Sequence, residues 1–192
     1  MFRVDDSRSE HTVISARVEV VRRSIATFDA RSPREIDSRE RILAELERLS
    51  NPFDREGDPV HLTGSAIVVG ARGTILHRHK RLGIWMQPGG HLDQDEDPSQ
   101  AALRETKEET GLPVRHPAGG PRLIHLDAHP AGAHFHLDLR YLLLSADLDP
   151  APAPAESQDV AWFSIEQAVE LADEALVDGL KRLSMLDTSK IH

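Results

Sequence analysis

Between Gly90 and Leu112 the chain carries a helix whose two ends are marked in the sequence and whose one face is crowded with carboxylates. Asp97-Pro98-Ser99-Gln100 opens it. Asp97 caps, Pro98 fits the first turn, and Gln100 can close a capping box. Gly111 sits where a residue of left-handed conformation ends a helix after Thr110. At about 100° per residue, Glu105, Glu108 and Glu109 fall within an arc of about 100°. Like charges at these spacings cost roughly 0.2–0.5 kcal/mol per pair. They also lie toward the negative end of the helix dipole, where anions are disfavoured. A sequence shaped by stability alone would not put three carboxylates there, whereas a hard divalent cation bound by oxygens resolves the conflict. Arg104, one position earlier, can pair with Glu96 on the preceding loop. Gly89 and Gly90 let the backbone come close, so that a carbonyl can face the cation.

The segments around this helix alternate strand and turn. Ser65 to Val69 is an apolar run, Ala71-Arg72-Gly73-Thr74 a turn, and Ile75 to His79 and Ile84 to Gln87 are short strand candidates. Pro88-Gly89-Gly90 is read as a strand break. Further strands are expected near Arg122–Asp127, His134–Leu144 and Asp159–Phe163. Asp149 to Ser157 is an Ala/Pro-rich loop with no evident basis for packing. Ser164, with Gln167 three residues on, caps a last helical region reaching about Leu186.

The first 59 residues have a different texture. Ile14, Val18, Val21, Ile25 and Phe28 recur at steps of three and four, which predicts a helix over Ser9–Ala30. Ser32-Pro33-Arg34-Glu35 is another capping signature, and Ile42, Leu43, Leu46 and Leu49 give the second helix its apolar face up to Asn51-Pro52. Two helices cannot bury these stripes alone. They must pack on the rest of the chain or on a second copy in a homodimer. The expected organisation is therefore a helical hairpin over 1–59 and one α/β domain over 60–192.

Composition removes several classes of function. The chain has no cysteine, which excludes disulfides, thiolate metal sites and thiol nucleophiles. With 23 basic against 32 acidic residues the net charge is −9, so a general field attracting nucleic acid is excluded. No apolar run approaches the ~20 residues of a membrane span. The N-terminus has no apolar core behind a basic start, so a cytoplasmic protein is expected.

The pattern from Gly90 through Glu96, Arg104-Glu105, Glu108-Glu109 and Gly111-Leu112 resembles the Nudix box, G-x5-E-x7-R-E-U-x-E-E-x-G-U with U aliphatic. Seven fixed positions at usages near 1/15 would arise by chance about once in a million such chains, so accident is not the explanation. One position departs: Thr106 stands where an aliphatic residue is usual, on the packing side of the helix. The resemblance covers roughly Val60 to Leu186. It implies a Nudix fold, an α/β/α sandwich with a mixed sheet. It further implies Mg²⁺ or Mn²⁺ held by Glu105, Glu108, Glu109 and the Gly89 carbonyl, with Arg104 and Glu96 orienting the site. The implied reaction is hydrolysis of a nucleoside diphosphate linked to another group, the partner being a small nucleotide derivative. In this family the general base comes from the box helix or from a loop elsewhere, and Glu105 is the first candidate. The intact carboxylate set favours an enzyme over a non-catalytic Nudix-fold sensor. The missing thiol argues against the Nudix-like isopentenyl diphosphate isomerases.

Outside the box, His134, His136, Asp138 and Arg140 alternate along one face of a strand. Three readings are open for this face: a wall of the substrate pocket, a transition-metal site lacking a third ligand, or a satisfied polar surface. His77-Arg78-His79-Lys80-Arg81 is a basic cluster in which Arg78 can meet substrate phosphates, or which forms a solvated hairpin tip. Trp85 is expected to pack under the box helix.

Overall fold

A computed structural model describes residues 6–183. Two helices come first, α1 (Asp6–Ala26) and α2 (Pro33–Arg48). The strands β1 (Val60–Gly70), β2 (Gly73–Arg78), β3 (Trp85–Met86) and β4 (Gly89–His91) follow, then α3 (Pro98–Thr110). The chain continues through β5 (Val114–Arg115), β6 (Arg122–Ala131), β7 (His134–Ser145) and β8 (Val160–Phe163) to α4 (Ile165–Leu171) and α5 (Glu174–Leu183). The three capping boxes read from the sequence form, at Ser32/Glu35, Asp97/Gln100 and Ser164/Gln167. No described helix is long and apolar enough to cross a membrane.

All eight described strands join one mixed sheet, with a path β3-β2-β1-β7-β5. β1 and β7 run parallel from Val60↔Phe135 to Val69↔Leu144, and the other pairs are antiparallel. β1 is buried on both faces, as a near-continuous apolar run in a central strand must be. On one side Leu62, Ala66, Val68, Leu137 and Leu139 pack with Ala101, Ala102 and Leu112 of the α3 region. On the other, Ile67, Leu76, Leu142 and Leu144 pack with Ala168, Leu176, Leu180 and Leu183. The result is the α/β/α sandwich.

The N-terminal stripes belong to the first of these cores. Val21, Ile25 and Phe28 of the α1 stripe and Ile42, Leu46 and Leu49 of the α2 stripe are buried with Leu62, Leu126 and Leu137. Helix α2 lies along β6, where Ser38 Oγ accepts from the Ala128 N–H (3.1 Å). β6 pairs only with β7, so this contact blunts an open sheet edge.

Several expectations are corrected. The first helix stops at Ala26 rather than Ala30. Gly89–His91 is a short strand, because its backbone pairs with Thr63–Ser65 of β1. The last helical region breaks into α4 and α5 at Ala172, whose extended backbone ends α4; its expected end at Leu186 lies outside the described residues. Trp85 packs on the opposite face from α3, edge-on to Phe163 with centroids 5.0 Å apart. The register explains this: Trp85 pairs with Arg78, on the same side of β2 as Leu76 of the α4–α5 core. The Ala/Pro-rich segment 149–157 does pack. Ala151 and Ala153 donate N–H groups to Thr110 O (2.9 Å) and Glu108 O (3.1 Å). They satisfy carbonyls that the end of α3 leaves open.

Candidate active site

Helix α3 is seated on β1 by absent side chains. A Cβ at Gly64 would stand 2.1 Å from Pro98 O, so the helix N-terminus rests on the bare strand backbone. Gly89, at φ +154°, faces Ser65 so closely that a Cβ would lie 2.2 Å from Ser65 Cβ. A Cβ at Gly90 would meet Glu105 Oε1 at 2.5 Å. β4 therefore threads between β1 and the carboxylate face of α3 because it carries no side chains there. At the far end, Gly111 takes φ +69° and abuts Ala151.

Within this frame the box residues converge. Arg104 clamps Glu96 in a fork, Nε to Oε1 at 2.9 Å and Nη2 to Oε2 at 3.0 Å. Its Nη1 reaches Glu105 Oε1 (2.9 Å) and Glu108 Oε2 (3.2 Å), and Nη2 also donates to His91 O (2.9 Å). One guanidinium thus ties the loop, β4 and the helix together. Burial acts to raise the Glu96 pKa, but the hydrogen bonds from Arg104 and the Asp93 N–H hold it below the usual range. Glu105 goes the other way: burial raises it despite Arg104. Glu109 accepts from the Gly89 N–H (2.9 Å), yet burial and the neighbouring carboxylates Glu105, Glu156 and Glu108 push its pKa up to about 8. The Glu156 charge reaches both helix carboxylates from the 149–157 loop. Thr106, at the departure from the box pattern, is fully buried, and its hydroxyl donates to Ala102 O (2.6 Å).

His77, from the basic cluster, was not singled out from its neighbours by the sequence. Its Nδ1 lies 3.6 Å from Glu109 Oε1. Burial and nearby His79 lower its pKa to about 4, so at neutral pH and without metal the two groups meet neutral and form no ion pair. Arg78 is exposed on the opposite face, donating from Nε to Gly83 O (3.0 Å). On β7, Asp138 is buried in a polar network. Thr63 Oγ1 (2.9 Å), Ser65 Oγ (2.7 Å) and Arg140 Nε (3.0 Å) all donate to its carboxylate. His134 is exposed, and half-buried His136 stands beside His61 and His91. The structure thus links Glu96, Arg104, Glu105, Glu108, Glu109 and Gly89 directly, reaches Asp138 through Ser65 and His136 through His91 across β4, and leaves Arg78 on the opposite face and His134 exposed.

A cleft of about 890 Å³ opens beside Glu105, with Arg17, Phe53, Arg55, His91 and Asp93 on its walls. Arg17 stacks over the Phe53 ring at 4.0 Å. Arg17, Phe53 and Arg55 come from α1 and the connector, segments whose patterning signals packing and carries no catalytic motif.

A model of the NUDIX domain matches residues 60–183. The chain belongs to the NUDIX family. A CMP-5'-(N-acetyl-N-hydroxy-3-aminopropyl)phosphonate hydrolase of Streptomyces rubellomurinus is 34% identical over 122 residues, 58% of this chain and 56% of that protein. The chain therefore spans little more than half the length of that relative. An asymmetrical bis(5'-nucleosyl)-tetraphosphatase of Caenorhabditis elegans is 32% identical over 103 residues, 51% of this chain and 71% of that one. Among solved structures, a NUDIX-family hydrolase from Clostridium perfringens superposes with a TM-score of 0.55 at 28% identity, covering 66% of this chain and 98% of the other. NUDIX hydrolases typically use divalent metals. Helices α1 and α2 precede the matched domain.

Proposed function

We propose that this NUDIX protein is a divalent-metal-dependent pyrophosphohydrolase that cleaves a nucleoside diphosphate linked to another group. The observation that carries the reading is the placement of Glu105, Glu108 and Glu109 on the face of α3 that meets β4, with Glu109 held by the Gly89 N–H, buried, and its pKa raised to about 8. A carboxyl so placed costs stability when ionised unless a cation faces it. The donor set is all oxygen, which fits Mg²⁺ or Mn²⁺. Glu105, Glu108, Glu109 and the Gly89 carbonyl would hold the ion. A bound cation supplies charge neutralisation at the pyrophosphate and a lowered pKa for the attacking water.

The chain's own groups do the rest. Arg104 and Glu96 fix the helix carboxylates against β4. The Gly89 N–H aims Glu109. Glu105, with the carboxylate oxygen it does not give to the ion, would accept the proton of the attacking water. Glu156 is the carboxylate by which the 149–157 loop acts on the same groups. Arg17 and Arg55 are the cations of a cleft wall that also carries Asp54, Glu56, Asp93 and Asp95, and Phe53 gives it an apolar patch. The names of the two curated relatives, a CMP-phosphonate hydrolase and a dinucleoside tetraphosphatase, support a nucleotide substrate class.

The test is a panel of nucleoside di- and triphosphates, nucleotide sugars, ADP-ribose and dinucleoside polyphosphates, each with Mg²⁺ and with Mn²⁺, followed by released phosphate or monophosphate. Turnover of at least one compound is expected, and it should vanish on chelation. Tight metal-independent binding with no turnover of any compound would replace the enzyme with a nucleotide-derivative sensor.

A further inference from the structure

We propose that His61, His91 and His136 form a second metal site, built for a borderline transition ion such as Zn²⁺ and distinct from the carboxylate cluster. The proposal rests on the fold and holds whether or not the hydrolase reading does.

Strand pairing assembles the site from three distant stretches of sequence. His61 of β1 lies beside His136 of β7 in the parallel pair, and Thr63, two residues on from His61, lies beside His91 of β4. The three rings form a nearly regular triangle, with centroids 5.2, 5.2 and 5.1 Å apart. One nitrogen from each ring lies within 4.8 Å of the other two. An ion placed among three such atoms is at most about 2.8 Å from each. Reaching the 2.0–2.1 Å of a Zn–N bond takes a shift of about 0.7 Å per ring, within the reach of small side-chain rotations. Three neutral imidazoles with no carboxylate among them select a borderline ion over Mg²⁺.

The hydrogen bonding prepares one ligand already. His61 is 1% exposed, and its Nδ1 is 3.2 Å from Asp58 O. A carbonyl only accepts, so Nδ1 carries the proton and Nε2 presents a lone pair. That Nε2 is buried and has no partner, as has His91 Nε2. A backbone carbonyl fixing the tautomer behind a bare nitrogen is the usual support of a metal-binding histidine. Two unpartnered buried nitrogens on neighbouring rings are costly without a ligand. Arg55 Nη1 lies 3.3 Å from His91 Nδ1 and must swing away as the His91 proton moves there. Arg55 is exposed, and its ion pair with exposed Glu56 (3.1 Å) can hold the guanidinium once it has turned from the ring. His134 stands at the mouth, its ring 5.1 Å from that of His61, so a fourth position is left for it or for water.

The test uses the untagged full chain stripped of metal. Zn²⁺ titration followed by calorimetry should give one site whose affinity falls at least about 100-fold in His61→Gln and in His136→Gln. That site should survive in Glu109→Gln, which removes a carboxylate of the other cluster. Histidine NMR signals of the unaltered chain should shift on Zn²⁺ addition at His61, His91 and His136, a readout that needs no variant to fold. The proposal is overturned if stoichiometric Zn²⁺ leaves those three signals in place. It is equally overturned if binding disappears in Glu109→Gln while persisting in the folded histidine variants.

Discussion

At the residue scale Glu109 concentrates the conflict that the sequence announces. Its carboxyl is held against the Gly89 N–H and His77 in a buried place, next to two other glutamates of the same helix. Without metal it stays protonated up to about pH 8, whereas in the unfolded chain it ionises near 4.5. Between those values the unfolded state releases a proton that the folded state keeps, so folding stability falls as pH rises. Buried His77 and half-buried His91 and His136, lowered to about 4, act in the opposite sense below about pH 6.5, so the melting temperature of the metal-free protein should decline from about pH 7 to about pH 8, and Glu109→Gln should flatten that decline. Glu105 is raised too and acts in the same direction. Both Glu105→Gln and Glu109→Gln should cut turnover by ~10²-fold or more. Neither should lower metal-free stability at pH 8, and stabilisation by added Mg²⁺ should shrink in both. Replacing exposed Lys107 of the same helix is the control and should leave turnover nearly intact. A clear loss of metal-free stability in both glutamine variants, with the Mg²⁺ response unchanged, would make these carboxylates structural partners instead.

At the scale of elements, what could be read in the sequence was what is local. The three capping boxes, the αL glycine after α3 and the spacing that lines up Glu105, Glu108 and Glu109 lie within a few residues of one another and depend on no partner. Strand β4 was not legible, because Gly89–His91 is extended only through pairing with β1. The packing of the 149–157 loop was hidden for the same reason: its role is to meet carbonyls of a helix about 40 residues earlier in the chain. The partners of His136 were missed because His61 and His91 come from two other strands. Gly64 shows how much a pairing-dependent position can decide. It looks like a weak point in an apolar strand, yet it is where α3 rests on the sheet. In Gly64→Ala the new Cβ would sit 2.1 Å from Pro98 O, a backbone atom that cannot rotate aside. The helix must lift, at a cost of about 1–3 kcal/mol or more. Its carboxylates must shift relative to Gly89, and a misplacement near 1 Å can cost ~10²-fold in rate. Thermal melts and a kinetic assay on this variant would show both losses together. Wild-type turnover and melting would mean that α3 is not seated as described.

At the scale of the whole molecule the N-terminal helices are part of the domain they precede. Their stripes supply Val21, Ile25, Phe28, Ile42, Leu46 and Leu49 to the core that includes Leu126 and Leu137. The connector after them is tied down as well, with the Leu62 N–H donating to Pro52 O (2.7 Å) and the Phe135 N–H to Pro59 O (2.8 Å). Glu35 is buried and is gripped by Arg182 of α5 at 2.8 and 3.0 Å, so α2 also touches the layer on the far side of the sheet. Arg17 and Arg55 bring the same extension to the wall of the cleft beside Glu105. Each buried apolar side chain is worth roughly 1.5–3 kcal/mol, so the six contribute on the order of 10 kcal/mol before compaction of the unfolded chain is discounted. Whole domains are stable by only about 5–15 kcal/mol. A chain starting at Pro59 would expose the α1–α2 side of that core, uncover the β6 edge at Ala128 and leave Arg182 without Glu35. It should aggregate, or melt well below the full chain, and any folded fraction should show a changed KM because the cleft wall of Arg17, Phe53 and Arg55 is gone. Melting, sedimentation and kinetics on the two lengths side by side decide the matter. A shortened protein with unchanged melting temperature, oligomeric mass and KM would show that the hairpin is a passenger on the NUDIX domain.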